Sequence, residues 1–108
     1  MAKVIWTKPA VTDLAAAFDY IAIQSRSVDT AERICNDILD GSYERLETFP
    51  DSGAPVEALR HISAREIYIH SYRVIYVRRD DACYVIMCIH SSRDLARHLD
   101  PERWEKLP

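Results

Sequence analysis

The hydrophobic period of this chain changes once, across Pro50-Asp51-Ser52-Gly53-Ala54-Pro55. Before that stretch apolar residues recur at steps of three and four. Val11, Leu14, Ala15, Phe18, Ile21 and Ala22 form one stripe, and Ala31, Ile34, Cys35, Ile38, Leu39, Ser42, Leu46 and Phe49 form a second. Such spacing places each set on one face of an amphipathic helix. After it the period falls to two in segments rich in Ile, Val and Tyr, the pattern of half-buried strands. Helices and strands segregated in this way predict an α+β fold with the helices packed on one face of a sheet.

Local signals place the boundaries. Val4-Ile5-Trp6 reads as an opening strand, and Thr7 is positioned to cap a helix with Pro9 in its first turn. Ser25-Arg26-Ser27 interrupts the stripe, and Asp29 with Glu32 has the spacing of a capping box for the second helix. So short a connection predicts an antiparallel helical hairpin. Gly41 inside the second helix is read as a tolerated close-packing point. Leu59–Ser63 reads as a weak strand; Arg65–Ile69, Tyr72–Arg78 and Cys83–His90 read as strong ones. His70-Ser71 and Arg79-Asp80-Asp81 supply the tight turns of an antiparallel meander. A short last helix is expected through Leu95, Ala96 and Leu99, ended by Asp100-Pro101.

With 108 residues, 48% hydrophobic and 29% charged, the chain has the size and composition of one globular domain spanning residues 1–108. Met1–Trp6 lacks the pattern of a secretory leader, and no apolar run approaches the ~20 residues of a membrane helix. A cytoplasmic protein without membrane contact is therefore expected. The three cysteines, Cys35, Cys83 and Cys88, show no metal-binding spacing and read as buried structural thiols. Strict alternation along one strand would aim Cys83 and Cys88 at opposite sheet faces. No cofactor or metal motif is present. The net charge of −3 argues against direct, specific nucleic-acid binding, which draws its affinity from neutralised phosphates.

Two constellations carry chemistry. In Tyr72-Arg73-Val74-Ile75-Tyr76-Val77, Arg73 shares a strand face with Ile75 and Val77. A charge on an apolar surface requires a partner. That partner is either an acidic or phosphate ligand, or Glu66 across the hairpin. At the end of the last strand, His90 and Arg93 form a possible oxyanion or phosphate site, with alternation placing His90 beside Ile86 and Cys88. The alternative is a strand-end histidine bonded to backbone. Asp19, Asp29, Glu32, Asp37, Asp40, Glu44 and Glu47 mostly fall between the apolar positions of the two helices and read as a solvated face.

These pieces, in this order, resemble the RelE/ParE superfamily of bacterial toxins. The resemblance runs from Val4-Ile5-Trp6-Thr7 through Asp13-Leu14 and Leu46-Glu47-Thr48-Phe49-Pro50-Asp51-Ser52-Gly53. It continues through Tyr72-Arg73-Val74-Ile75-Tyr76 to Ile89-His90-Ser91-Ser92-Arg93-Asp94-Leu95. RelE-like members cut messenger RNA on the ribosome, whereas ParE-like members poison DNA gyrase. Arg73 and Arg93 match the arginines of RelE-like enzymes. The tyrosine often found near their C-terminus is replaced here by Arg93-Asp94-Leu95-Ala96-Arg97-His98, and no lysine occurs between Ala10 and Glu105. The His90–Leu95 ending and the acidic charge resemble the ParE branch.

The resemblance implies a type II toxin that inhibits DNA gyrase, serves plasmid stabilisation and is neutralised by a ParD-like antitoxin. It acts by binding, not catalysis. Ribosome-dependent RNA cleavage is the alternative, with Arg73, Arg93, His90 and His98 as its catalytic set. An inert interaction module that keeps the fold is the third reading. Family members depend on their C-terminal region, so Arg97, Arg103 and Trp104 join Arg73 and Arg93 as expected partner contacts. Deleting Pro101–Pro108 is expected to leave a folded but harmless protein.

Overall fold

A computed structural model describes residues 1–108. Strand β1 (Lys3–Trp6) leads into helices α1 (Lys8–Ser25) and α2 (Val28–Thr48). A two-residue strand β2 (Ala54–Pro55) and a 3-10 helix (Glu57–Ile62) follow. Next come β3 (Arg65–Ile69), β4 (Tyr72–Arg79) and β5 (Ala82–His90), then a 3-10 turn (Leu95–His98) and the short helix α3 (Glu102–Glu105). The five strands form one sheet in the order β1-β5-β4-β3-β2. β1 runs parallel to β5, and the other pairs are antiparallel. The architecture is the expected α+β arrangement, with the helical hairpin on one sheet face.

The two helices start by different means. Thr7 stands at the cap position of α1, but its hydroxyl donates to the carbonyl of Val85 at 2.7 Å instead of capping the helix. This bond ties the helix start to the sheet. For α2 the cap is Ser27, whose Oγ accepts from the Thr30 N–H at 3.1 Å, so the Asp29–Glu32 box does not form. Asp29 already lies inside the first turn, where its charge complements the helix dipole. Between the helices Arg26 adopts a left-handed φ of 55°, which reverses the chain.

The α1 stripe is rotated from the sequence reading. Ala10, Leu14, Ala17 and Ile21 are buried, whereas Val11 is 51% exposed and Phe18 only half-buried. Two alanines on the inner face let α1 approach the sheet and α2 closely. In α2 the buried positions are Ala31, Cys35, Ile38, Ser42 and Leu46, and Phe49 lies outside at 63% exposure. Gly41 packs on Ile69, whose Cδ1 lies 3.0 Å from where a Cβ would stand, which accounts for a glycine in the helix.

Both sheet faces are covered. The helices enclose a core with Val4, Ile67, Val74, Tyr76, Cys83 and Val85. On the opposite face Val56, Leu59, Ala64, Ile75, Val77, Ile86, Met87, Ile89 and Leu95 form a second core. The expected strand at Leu59–Ser63 is instead the 3-10 helix, because Leu59 must turn inward onto that core; Ser63, with φ 56°, ends it. The expected last helix shortens to the 3-10 turn, and the chain resumes as α3 after Pro101, which starts that helix. Leu99, Trp104 and Leu107 of the tail pack against the second core.

One irregularity sets the facing of β5. Ile75 pairs with Met87 and Tyr76 with Val85, so Ile86 is an extra residue between them. Such a bulge interrupts side-chain alternation. Ile86 and Met87 therefore both enter the second core, and Cys83 and Cys88 both enter the helix-side core. The opposite-face assignment of the two cysteines fails for this reason. His90 consequently shares a face with Cys88 but not with Ile86.

Candidate functional site

Strand β1 pairs with β5 only as far as Val85, so the outer edge of β5 beyond that point needs other partners. Side chains supply them. Asp13, on α1, accepts from the Cys88 N–H at 3.0 Å, and Arg103, in α3, donates to the Ile86 carbonyl at 2.8 Å. Arg103 also forks onto Asp13, with Nη1–Oδ2 at 2.7 Å and Nη2–Oδ1 at 2.9 Å. Both side chains are 18% exposed. An open edge is thus closed by a bidentate ion pair in place of a strand.

Beside this closure lies a cavity of about 430 Å³, bounded by α1, the start of β4, the end of β5 and the tail. Its walls include Asp13, Tyr20, Tyr72, His90, Arg93, His98 and Arg103. A second cavity of about 310 Å³ shares Tyr20, Tyr72 and His90 with it and reaches Ile34 on α2 and His70 at the β3–β4 turn. His90 is held by its surroundings. Its Nδ1 accepts from the Ser92 N–H at 3.1 Å and lies 2.7 Å from the Ser92 hydroxyl, leaving Nε2 as the ring's remaining polar atom. The Tyr72 ring meets the imidazole edge-on at 5.2 Å. Burial pushes the Tyr72 hydroxyl above its ordinary range, as it does the Cys35 and Cys83 thiols; Cys88 is pushed up to about 12.

The residues singled out from the sequence divide into three groups. His90, Arg93 and His98 come together at the first cavity. Arg73 does not join them. It lies among the half-buried side chains of β4 with its Nε donating to Glu66 at 2.5 Å, and that hydrogen bond raises the guanidinium pKa further. The remaining three lie on the tail. Arg97 is exposed and faces Asp94 at 3.7 Å; Arg103 serves the edge closure; Trp104 packs against the second core and meets the His61 ring edge-on at 6.1 Å. Asp13 and Tyr20 were not anticipated as site residues. The available signal for Asp13 was an acid flanking the buried Ala10–Ala17 side of α1.

The arrangement offers cationic and aromatic groups in an open groove, and no convergent acid–base pair on a nucleophile. No three His, Cys, Asp or Glu side chains are placed to hold a metal ion. No helix is long and apolar enough to cross a membrane.

Comparison with known proteins adds the family. Residues 4–95 match the model described as the ParE toxin of the type II toxin–antitoxin system parDE. A solved structure titled as the chromosomal ParDE toxin–antitoxin system from P. aeruginosa is similar at a TM-score of 0.70 and 17% identity. The match covers 83% of this chain and 96% of that one. No curated protein matches the sequence. The matched segment runs from β1 to the turn that follows β5, taking in both helices, the bulge and the strand-end His90 and Arg93, and the chain belongs to the ParE toxin family of type II toxin–antitoxin systems.

Proposed function

We propose that the protein arrests growth by binding and inhibiting DNA gyrase in the cytoplasm, and that a ParD-like antitoxin neutralises it. The observation that carries the reading is that Arg73 stands apart from the other residues an RNA-cleaving member would use with it. Arg73 is bonded to Glu66, while His90, Arg93 and His98 line a cavity of which Arg73 is not part. An RNA-cleaving member would need Arg73 at the same reacting group as its proton donor, to stabilise charge on the transferring phosphate. Family membership and the acidic net charge point the same way.

Ribosome-dependent RNA cleavage is the second reading, favoured only by the presence of two histidines and an arginine at one cavity. The test is a gyrase supercoiling assay beside a ribosome-programmed cleavage assay, each with and without the product of the adjacent reading frame as antitoxin. Inhibition of supercoiling that the antitoxin relieves is expected. Robust message cleavage that His90→Ala or His98→Ala abolishes would move the protein to the RelE branch.

A further inference from the structure

The two cavities form one groove, because Tyr20, Tyr72 and His90 wall both. Its charge is one-sided. Asp13 is the one carboxylate among its lining residues, and Arg103 neutralises it. Arg93 is exposed and enters no ion pair, and His98 enters none either. On a chain of net charge −3 this end of the groove is locally cationic. The other end carries no Lys, Arg, Asp or Glu side chain, and its His70 meets Asp37 at 2.8 Å. Along the α1 wall and just beyond it, Tyr20 is 53% and Ile23 71% exposed.

We propose that this groove is the surface that receives the antitoxin, and that it takes a segment whose acidic side chain enters the cavity at Arg93 and His98 while an apolar neighbour covers Tyr20 and Ile34. The proposal rests on the antitoxin reading given above and adds to it a location and a chemistry. Electrostatic complementarity selects the acidic residue, since it meets the Arg93 guanidinium, which no protein carboxylate occupies, with the His98 ring beside it. The two-chambered form selects a peptide over a small anion. A free phosphate or carboxylate fills only the cationic chamber and leaves the chamber of Tyr20 and Ile34 in water, whereas a chain segment covers both chambers. Tyr and Arg are also the residue types that anchor interfaces most often.

The experiment titrates the full-length antitoxin, purified after co-expression, against wild-type toxin and three variants checked for folding by thermal melting. Arg93→Glu and Tyr20→Glu are each expected to weaken binding by about thirtyfold or more. Arg33→Glu, on the exposed side of α2, is expected to stay within about twofold. An acidic-to-lysine change in the antitoxin segment is expected to restore binding to Arg93→Glu. Wild-type binding with both groove variants unaffected overturns the location while leaving the antitoxin reading intact. Wild-type toxin that binds no antitoxin overturns both. Inorganic phosphate that shifts the His90 and His98 ring resonances, with antitoxin binding insensitive to the groove variants, assigns the cavity to a small anion and overturns the peptide.

Discussion

Arg103 grips Asp13 from 90 positions further along the chain, its Nη1 and Nη2 each donating to one carboxylate oxygen and Nη1 also to the Ile86 carbonyl. The tail is thereby fastened to the first helix across the open edge of β5. Removing one partner of such a pair leaves the other charge poorly solvated. Arg103→Ala is expected to cost about 2–4 kcal/mol in urea unfolding. Arg103→Lys should recover little of it, because an ammonium cannot reproduce the fork. An unchanged urea midpoint in Arg103→Ala would show that the tail is not held this way.

Deleting Pro101–Pro108 removes that grip together with Trp104 and Leu107, which cover the second core. Exposed apolar surface should then appear as dye binding, with a lowered melting temperature. Read from the sequence, the truncated chain is instead expected to stay folded and bind antitoxin while losing toxicity. Loss of toxicity on truncation is therefore expected to follow from loss of packing. A truncated protein that melts like the full chain and is harmless would return Trp104 to the role of target anchor.

Arg73 and Glu66 are 15% and 11% exposed, so each is the other's main source of solvation. Arg73→Ala alone should destabilise by about 2–4 kcal/mol, while Arg73→Met with Glu66→Leu should recover most of the loss. A double-mutant cycle is expected to give a coupling above about 1 kcal/mol. The double variant should also stay toxic. Toxicity lost from a folded double variant would show that Arg73 meets the target directly.

The Gly53 N–H donates to the Tyr76 hydroxyl at 3.0 Å, and a Cβ at Gly53 would stand 2.8 Å from that hydroxyl and from the Glu66 carbonyl. Tyr76→Phe leaves a buried donor unpaired and should cost about 1–3 kcal/mol. Gly53→Ala drives a methyl group against the β3 backbone and should cost at least as much. Combined, the two changes should be less than additive, because both release the same contact. Denaturant unfolding of the three variants measures this.

Stability should fall in alkali. The Cys88 thiol is pushed up to about 12 in the fold from an ordinary value of 9.0, and Cys35 and Cys83 move in the same direction. An unfolded chain ionises these thiols first. The Cys88 contribution is therefore fully present below about pH 9 and is lost as the pH climbs toward 12, at up to ~1.4 kcal/mol per unit; Cys35 and Cys83 act in the same direction. Cys88→Ala should flatten the decline between pH 9 and pH 11. A slope equal to wild type would show that Cys88 ionises freely in the native protein.

The helical hairpin and the tight turns at His70-Ser71 and Asp80-Asp81 were legible because short-range physics determines them: periodic apolar spacing and positive φ at His70 and Asp80. What escaped depends on distant partners. The parallel docking of β1 against β5 leaves no local trace in Val4-Ile5-Trp6. Leu59 looked like a strand residue because burial on a second core resembles burial in a sheet. At the site, the grouping of His90 with Arg93 followed from their adjacency. The diversion of Arg103 to Asp13 did not, since nothing near either residue signals a bond over 90 positions.

The extra residue at Ile86 has a consequence for how this chain tolerates change in length. Removing Ile86 would leave Val85 opposite Tyr76 and Met87 opposite Ile75, so the ladder on either side keeps its partners and every other side chain keeps its face. The sheet should survive such a deletion. What disappears is the carbonyl that Arg103 grips, along with one buried isoleucine of the second core. A relative one residue shorter in this strand would keep the same sheet but hold its C-terminus with one hydrogen bond fewer. In this chain one surplus residue in a strand thus lends its carbonyl to the far end of the sequence, a gain of length in the sheet used for fastening the tail.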